Sequence, residues 1–201
     1  MAGTHAQKSN WRDALLPHTV DHLAEVSPSA PYALYPNSPT TYNDGYRTVT
    51  YKDFANAING FAWWLKEHLG PTKDFEVLAY IGPNDVRYTA LCLGAVKAGY
   101  VVGPTVSDAS LLSFFTDQII QAFFTSPRNS VAAHGALFET LKCRTLLTPD
   151  PTPPATQQIL GTHPMKHLTV PDVSYFVDKE HPHYPYDKTY ESAYSEPLGV
   201  V

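Results

Sequence analysis

The sequence has little charge, few cysteines and no long apolar run, and each shortage excludes a class of protein. Charged residues make up 16% of the 201 residues and the formal net charge is −5, so there is no basic footprint for nucleic acid or an anionic membrane. Cys92 and Cys143 are the two cysteines, which is too few for a disulfide framework or a zinc cluster. No run of about 18 apolar residues predicts a membrane span, and the polar start MAGTHAQKSNWRD does not resemble a signal peptide.

The remaining composition favours a folded chain of one domain, or one and a half. Hydrophobic residues at 43% and aromatic residues at 12% supply a core and exclude wholesale disorder. Eighteen prolines against eleven glycines indicate long irregular loops. We therefore expect a cytoplasmic α/β protein that contacts neither nucleic acid nor membrane.

Local signals in the first half predict a hairpin followed by a long helix. Residues 31–35 and 46–50 suit two strands joined by a turn at Asp44-Gly45. Thr50 and Asp53 have capping-box spacing, and the apolar residues that follow recur at helical spacing over 51–69. A short helix is expected over 13–25, which Pro17 would break early.

The next segment predicts a strand, a helix and a second strand. The apolar run 75–81 is typical of a buried strand, and Asn84 is expected to cap a helix that Gly99 closes. Its expected inner face consists of Tyr88, Leu91, Cys92, Ala95 and Val96. A strand at 100–102 would then complete a parallel crossover unit.

Fewer signals mark the second half of the chain. A helix is predicted over 131–141, a strand over 144–148, a helical turn over 156–160 and a strand over 167–170. Residues 171–201 have little periodicity and much Tyr, His and Pro, so we expect them to wrap a body formed by the rest.

Three groups of residues invite a chemical assignment, but each has a plainer interpretation. His163 and His167 have metal-ligand spacing on a helix, yet Pro164 and the strand-like run HLTV oppose a helix there. His181 and His183 are expected to be solvated loop histidines. Cys143 is expected to be a small buried side chain rather than a nucleophile.

Other polar and aromatic residues are expected to be structural. One of the adjacent Trp63 and Trp64 must point away from the buried helix face, to pack under a loop or to meet a partner domain, and we favour the loop. Lys97 is expected to offset the dipole at its helix C-terminus rather than to act in catalysis. Arg128 and Asn129 lie in a Ser-Pro turn.

Several segments together resemble the N-terminal part of adenylate-forming enzymes, in the order and spacing of that family. They are VTYKDFANAINGFAWWLKEHL at 49–69, VLAYIGPNDVRYTAL at 77–91, LCLGAVKAGYVV at 91–102, SPRNSVAAHGALFETLKCRTLLTP at 126–149 and YPYDKTYESAYSEPLGVV at 184–201. The nearest likeness is to fungal nonribosomal-peptide-synthetase-like proteins of the aminoadipate-reductase or carboxylic-acid-reductase kind. The resemblance implies an incomplete N-terminal subdomain with a mainly parallel sheet and flanking helices.

The same resemblance implies an activity for a full-length family member. Such enzymes activate a carboxylic acid with ATP and magnesium, pass the acyl group to a phosphopantetheine carrier and, in reductases, use NADPH. The family's Ser/Thr/Gly-rich phosphate loop has no counterpart in this sequence, and its later motifs have none either. No catalytic, cofactor-binding or metal-binding residue can therefore be carried over, and we expect the chain alone to be inactive and to bind no cofactor.

The resemblance also divides the chain. Residues 1–30 are a lead-in, 31–201 correspond to a partial AMP-binding domain, and 103–123 have no family counterpart. This stretch is either a retained intron translated in frame or a genuine insertion. In support of an intron, Thr116-Asp117 can be encoded by a sequence that resembles a splicing branch point, and Gln121 by one that resembles a splice acceptor.

Two hypotheses of different classes follow from the sequence. The chain is the N-terminal fragment of an acid-activating enzyme, whose partners are the remaining adenylation subdomains and a carboxylic acid substrate. Alternatively, it is a non-catalytic binding or regulatory module that pairs with a full-length relative. A dinucleotide-binding protein is disfavoured because IGPND at 81–85 lacks the G-x-G-x-x-G pattern.

Overall fold

The computed structural model describes residues 14–38, 40–71, 76–83, 85–102, 123–124 and 129–193. Within them the chain forms seven helices and seven strands. In chain order these are α1 (Leu16–Val26), β1 (Pro31–Pro36), β2 (Tyr46–Thr50), α2 (Tyr51–Leu69), β3 (Val77–Tyr80), α3 (Val86–Ala98), β4 (Val101–Val102), β5 (Phe123–Phe124), α4 (Val131–Thr140), β6 (Thr145–Pro149), α5 (Ala155–Thr162), β7 (Lys166–Val170), α6 (Val173–Val177) and α7 (Tyr190–Ala193). In this part of the chain, no helix is both long and apolar enough to cross a membrane.

The predicted hairpin and long helix are both confirmed. β1 and β2 pair antiparallel, and Gly45 takes a positive φ of 76° at the turn. The capping box at the start of α2 is complete, because the Asp53 N–H donates to Thr50 Oγ1 at 3.2 Å and the Thr50 N–H donates to Asp53 Oδ2 at 2.9 Å. The helix ends at Leu69, as the sequence predicts.

The expectation that Pro17 breaks the first helix is wrong. Pro17 lies in the first turn of α1, which runs to Val26. A proline is tolerated there because the N–H groups of a first helical turn have no partner within the helix, and its fixed φ suits the helix.

The predicted cap of α3 is also wrong by one position. Asp85 is the N-cap and its Oδ1 accepts the Arg87 N–H at 2.8 Å, whereas Asn84 lies outside the described residues. Of the predicted inner face, Leu91, Ala95 and Val96 are buried, and Tyr88 and Cys92 are half-buried and pack against the core. Gly99 closes the helix in the left-handed conformation, as predicted.

The central sheet is parallel and has helices on both faces. β3 pairs with β4 and β5 along one edge and with β6 along the other, and β7 pairs with β6. Side chains alternate between two cores. Leu78, Tyr80 and Leu147 pack with α2 and α3, whereas Ala79 and Leu146 pack with α4 and α5. The predicted fold class, a mainly parallel sheet with flanking helices, is confirmed.

The segment after β7 wraps the body, as expected for residues 171–193. The Trp63 indole N–H donates to the Pro182 carbonyl at 3.0 Å, and a ring nitrogen of His18 lies 2.9 Å from the Tyr186 carbonyl oxygen. This segment also includes the short helices α6 and α7, which its lack of periodicity does not indicate. Residues 194–201 lie outside the described part.

Helices α3 and α2 pack closely against each other at Gly94. A Cβ at this position would lie 2.6 Å from Phe61 Cβ and 2.8 Å from the Ile58 carbonyl oxygen. Because that oxygen belongs to the helix backbone, it cannot move aside as the end of a flexible side chain does. Gly94 therefore sets the spacing of the two helices.

We predict that Gly94→Ala lowers the free energy of unfolding by about 1–3 kcal/mol because the added methyl overpacks this contact. Gly161→Ala is the matched control, since Gly161 lies within α5 and a Cβ there would meet nothing within 4 Å. The control should be neutral or stabilising by up to about 1 kcal/mol. Urea unfolding measures both, and equal stability of the two variants would contradict this account.

Candidate functional site

The sheet topology points to the end of the sheet where the parallel strands have their carboxyl ends. β3 lies between β4 and β6, so the connections that follow β3 and β5 run to opposite sides of it. In open α/β sheets, ligands bind outside the carboxyl ends of the strands at such a switch point. We call the residues that surround this end the carboxyl edge: Tyr35, Tyr80, Asp85, Arg87 and Asp172.

A buried ion pair holds the carboxyl edge together. The Arg87 guanidinium donates from Nη2 to Asp85 Oδ2 at 2.8 Å and from Nη1 to the Pro171 carbonyl at 3.3 Å. The two side chains are 8% and 14% exposed. Burial alone lowers the pKa of Arg87, but the hydrogen bond and charge of Asp85 outweigh it and raise the pKa overall. The pair joins the start of α3 to the loop after β7.

Tyr80 closes the base of the carboxyl edge. Its ring is 1% exposed and lies against Gly82, where any side chain would collide with it. Burial raises the pKa of the Tyr80 hydroxyl well above its usual range, so this group stays protonated. Tyr80 and Gly82 thus shape the turn that leads from β3 into α3.

An open cleft of about 340 Å³ lies beside the pair. It is lined by Tyr35, Pro36, Asn37, Arg47, Asp172, Val173 and Ser174. Asp172 caps α6, and the backbone hydrogen bond from Ser174, aided by the charges of Arg87 and Arg47, lowers the pKa of its carboxyl group. The cleft therefore offers an ionised carboxylate and a partly exposed guanidinium, which suit polar binding, and its described lining includes neither His nor Cys.

A larger groove of about 480 Å³ lies between α1, α2 and residues 177–183. Several of its polar side chains have partners: Asp53 accepts from Thr50, and the Asn56 amide donates to the Phe176 and Lys179 carbonyls. The Asn56 contacts fasten the wrapping segment to α2. The groove is therefore better explained as the boundary between the wrapping segment and α2 than as a ligand-binding site.

Lys97 makes a buried polar contact that the sequence does not predict. It lies in the last turn of α3, but its Nζ is buried and donates to Asp21 Oδ2 at 2.7 Å and Asn59 Oδ1 at 2.9 Å. Burial lowers its pKa, and Asp21 opposes that shift. Lys97 thus links α1, α2 and α3 through a buried polar contact, which a dipole argument does not foresee.

The four histidines singled out from the sequence lie in different settings. His163 follows α5 and His167 lies in β7, where its Nε2 is 2.8 Å from Thr148 Oγ1, so the two are not on one helix. His183 is exposed, as predicted. The prediction is wrong for His181, which is half-buried on Gly60 with Nε2 2.8 Å from the Tyr175 carbonyl.

Cys143 and Trp63 behave as the sequence predicts. Cys143 is 8% exposed and its thiol donates to the Val77 carbonyl at 3.3 Å. Trp63 packs edge-on against Tyr184, 4.7 Å between ring centroids, beneath the wrapping segment. Of the predicted Ser-Pro turn, Arg128 lies outside the described residues, and Asn129 is half-buried.

Sequence reasoning missed the two buried polar contacts. A signal was present for the first, because Asp85-Val86-Arg87 follows a buried strand at the start of a helix. For the second, the signal was a lysine within the apolar run LCLGAVKAG. Arg87 donates to the Pro171 carbonyl, 84 positions away, and Lys97 donates to Asp21, 76 positions away. No local pattern identifies these two partners.

Comparisons with known proteins agree with this architecture. A carboxylic acid reductase of Neurospora crassa is 34% identical over 160 residues, which cover 79% of this chain and 13% of that protein. An isocyanide synthase–NRPS hybrid of Aspergillus fumigatus is 29% identical over 188 residues, 92% of this chain and 11% of that protein. The chain thus spans 13% or less of the length of these relatives. No protein-family model matches it.

Solved structures show the same fold at low identity. A fatty acyl CoA synthetase of Mycobacterium tuberculosis superimposes with a TM-score of 0.58 at 16% identity, over 86% of this chain and 30% of that one. The N-terminal subdomain of Klebsiella oxytoca NpsA superimposes with a TM-score of 0.55 at 13% identity, over 88% of this chain and 36% of that one.

The chain has the fold of the N-terminal domain of adenylate-forming enzymes and corresponds to a partial N-terminal region of that class. Within the class, its sequence is similar to fungal carboxylic acid reductases and NRPS-like proteins. The resemblance found in the sequence is confirmed.

We predict that Arg87→Ala lowers the free energy of unfolding by about 3 kcal/mol, because it leaves the Asp85 carboxylate in a buried setting without its partner. Arg47→Ala is the control. The Arg47–Asp178 pair has the same 2.7–2.8 Å geometry, but its side chains are 36% and 50% exposed. Its loss should cost less than about 1 kcal/mol. Urea unfolding measures both variants. Similar losses of unfolding free energy would contradict the prediction, because burial would then not distinguish the two ion pairs.

A second prediction concerns pH. Burial raises the pKa of the Cys143 thiol to about 11 from its ordinary value of 9.0. The folded state then keeps a proton that the unfolded state loses, so this stability is present below pH 9 and is lost as pH rises towards 11. Cys143→Ala should flatten the fall in unfolding free energy over that window by up to about 1.4 kcal/mol per pH unit. Parallel pH profiles of the two proteins would contradict it.

Proposed function

We propose that this chain is the N-terminal part of an ATP-dependent enzyme that activates a carboxylic acid as an acyl-adenylate. The observation that carries the proposal is the 34% identity over 160 residues with a carboxylic acid reductase. The fold, shared with a fatty acyl CoA synthetase, supports it. The chain's own contribution is a scaffold that presents the carboxyl edge to later parts of the enzyme.

The contacts at the carboxyl edge suit a scaffold. Arg87 is committed to Asp85 and Pro171, and Tyr80 is held protonated, so these groups fix positions rather than transfer protons or bind a reacting phosphate. The lining of the neighbouring cleft leaves Arg47 partly exposed, which suits contact with a further polar surface.

The described residues do not fit ATP or magnesium. They contain no group of three or more His, Cys, Asp or Glu that would hold a metal ion, and no Ser/Thr/Gly-rich loop occurs in the sequence. We therefore assign ATP, magnesium, the phosphopantetheine carrier and NADPH to the whole enzyme rather than to this stretch. The partners proposed for this stretch are the remaining adenylation subdomains, and the proposed location is cytoplasmic.

A chimera tests the proposal. The aligned 160-residue stretch of the Neurospora carboxylic acid reductase is replaced by the corresponding stretch of this chain, and acid-dependent exchange of pyrophosphate into ATP is measured. We expect exchange above that of an acid-free control, because the scaffold is interchangeable within the class. The same replacement in the Aspergillus hybrid provides a second, independent host.

Size-exclusion chromatography and thermal unfolding establish that each chimera is folded. Folded chimeras without exchange would favour the alternative function, a non-catalytic binding or regulatory module. Failure of both hosts to fold with this stretch would contradict the proposed place of the chain in the enzyme.

A further inference from the structure

The edge of β3 is occupied by two short strands from distant parts of the chain. β4 pairs with the first half of β3 and β5 with the second half, both in parallel. β6 occupies the opposite edge of β3, so β4 and β5 share a single line along the sheet.

The register of the two strands is continuous. Val102 lies opposite Leu78, and Phe123 lies opposite Ala79, which is the next residue of β3. A strand advances about 3.3 Å per residue, the distance that one peptide link spans. Val102 and Phe123 therefore occupy consecutive positions of one strand, although twenty residues separate them in sequence.

We propose that residues 103–122 are an insertion within a single strand, and that the fold does not require them. The strand that remains, Val101-Val102-Phe123-Phe124, pairs without a break with Val77–Tyr80. The register fixes the insertion at twenty residues and moves its end from 123, the limit expected from the sequence, to 122. The inference does not depend on the proposed function, and it holds for a retained intron and for a genuine insertion.

An ordinary connection between two strands does not produce this register. A crossover in a parallel sheet carries the chain to a new strand position and commonly includes a helix. Here the chain leaves β3's edge at mid-strand and returns to the same edge one position further on, in the same direction. Slippage by one residue would move every side chain of the returning strand to the other face of the sheet.

A series of three deletions in the full chain tests the proposal: 103–121, 103–122 and 103–123. Removal of 103–122 should preserve cooperative unfolding and keep the Tm or raise it by about 4–8 °C, because holding together the ends of a twenty-residue insertion costs conformational entropy. The other two deletions are matched controls of nearly equal length. Each shifts the register by one residue, so each should lower the Tm relative to the 20-residue deletion.

Thermal unfolding, monitored by circular dichroism, distinguishes the possible outcomes. A lower Tm for the 103–122 deletion than for the full chain, or equal behaviour of all three deletions, would overturn the proposal. If the full chain shows no cooperative transition, the proposal requires that removal of 103–122 creates one and that the two control deletions do not. Absence of a transition in all three would then overturn it.

Discussion

The contact between α2 and α3 at Gly94 is the constraint on which the rest of the structure depends. With no side chain at Gly94, α3 approaches the backbone of α2 near Ile58, and this spacing places α2 over one face of the sheet. The opposite side of α2 then receives the wrapping segment, through Asn56, Trp63 and the His181 ring on Gly60. A change in the distance between these helices would therefore disturb the core and the covering segment together.

Two buried polar contacts fix the position of α3, one at each of its ends. Lys97 joins three helices at the C-terminal end of α3, and Asp85 with Arg87 anchors its N-terminal end to the loop after β7. Buried charges are costly unless they are paired, so each contact favours one arrangement over its neighbours. A rigid carboxyl edge of this kind suits a scaffold onto which an active site is completed by later residues.

The parts predicted from the sequence are those fixed by local interactions. The capping box at Thr50, the turn at Gly45 and the helix end at Gly99 depend on residues within a few positions, and the structure has all three. Two local predictions also fail, the break at Pro17 and the cap at Asn84. The other errors concern tertiary contacts: Lys97 donates to Asp21, and the His181 ring packs on Gly60, far away in sequence. The carboxyl edge required the strand order, which no local pattern specifies.

Sequencing the full-length transcript tests the central claim, that the chain is the N-terminal scaffold of an acid-activating enzyme, most directly. The account predicts that the reading frame continues beyond the Val201 codon into a Ser/Thr/Gly-rich phosphate loop and the later motifs of the class. A major transcript that instead carries a stop codon directly after Val201 would contradict it and would leave a binding module as the function to pursue.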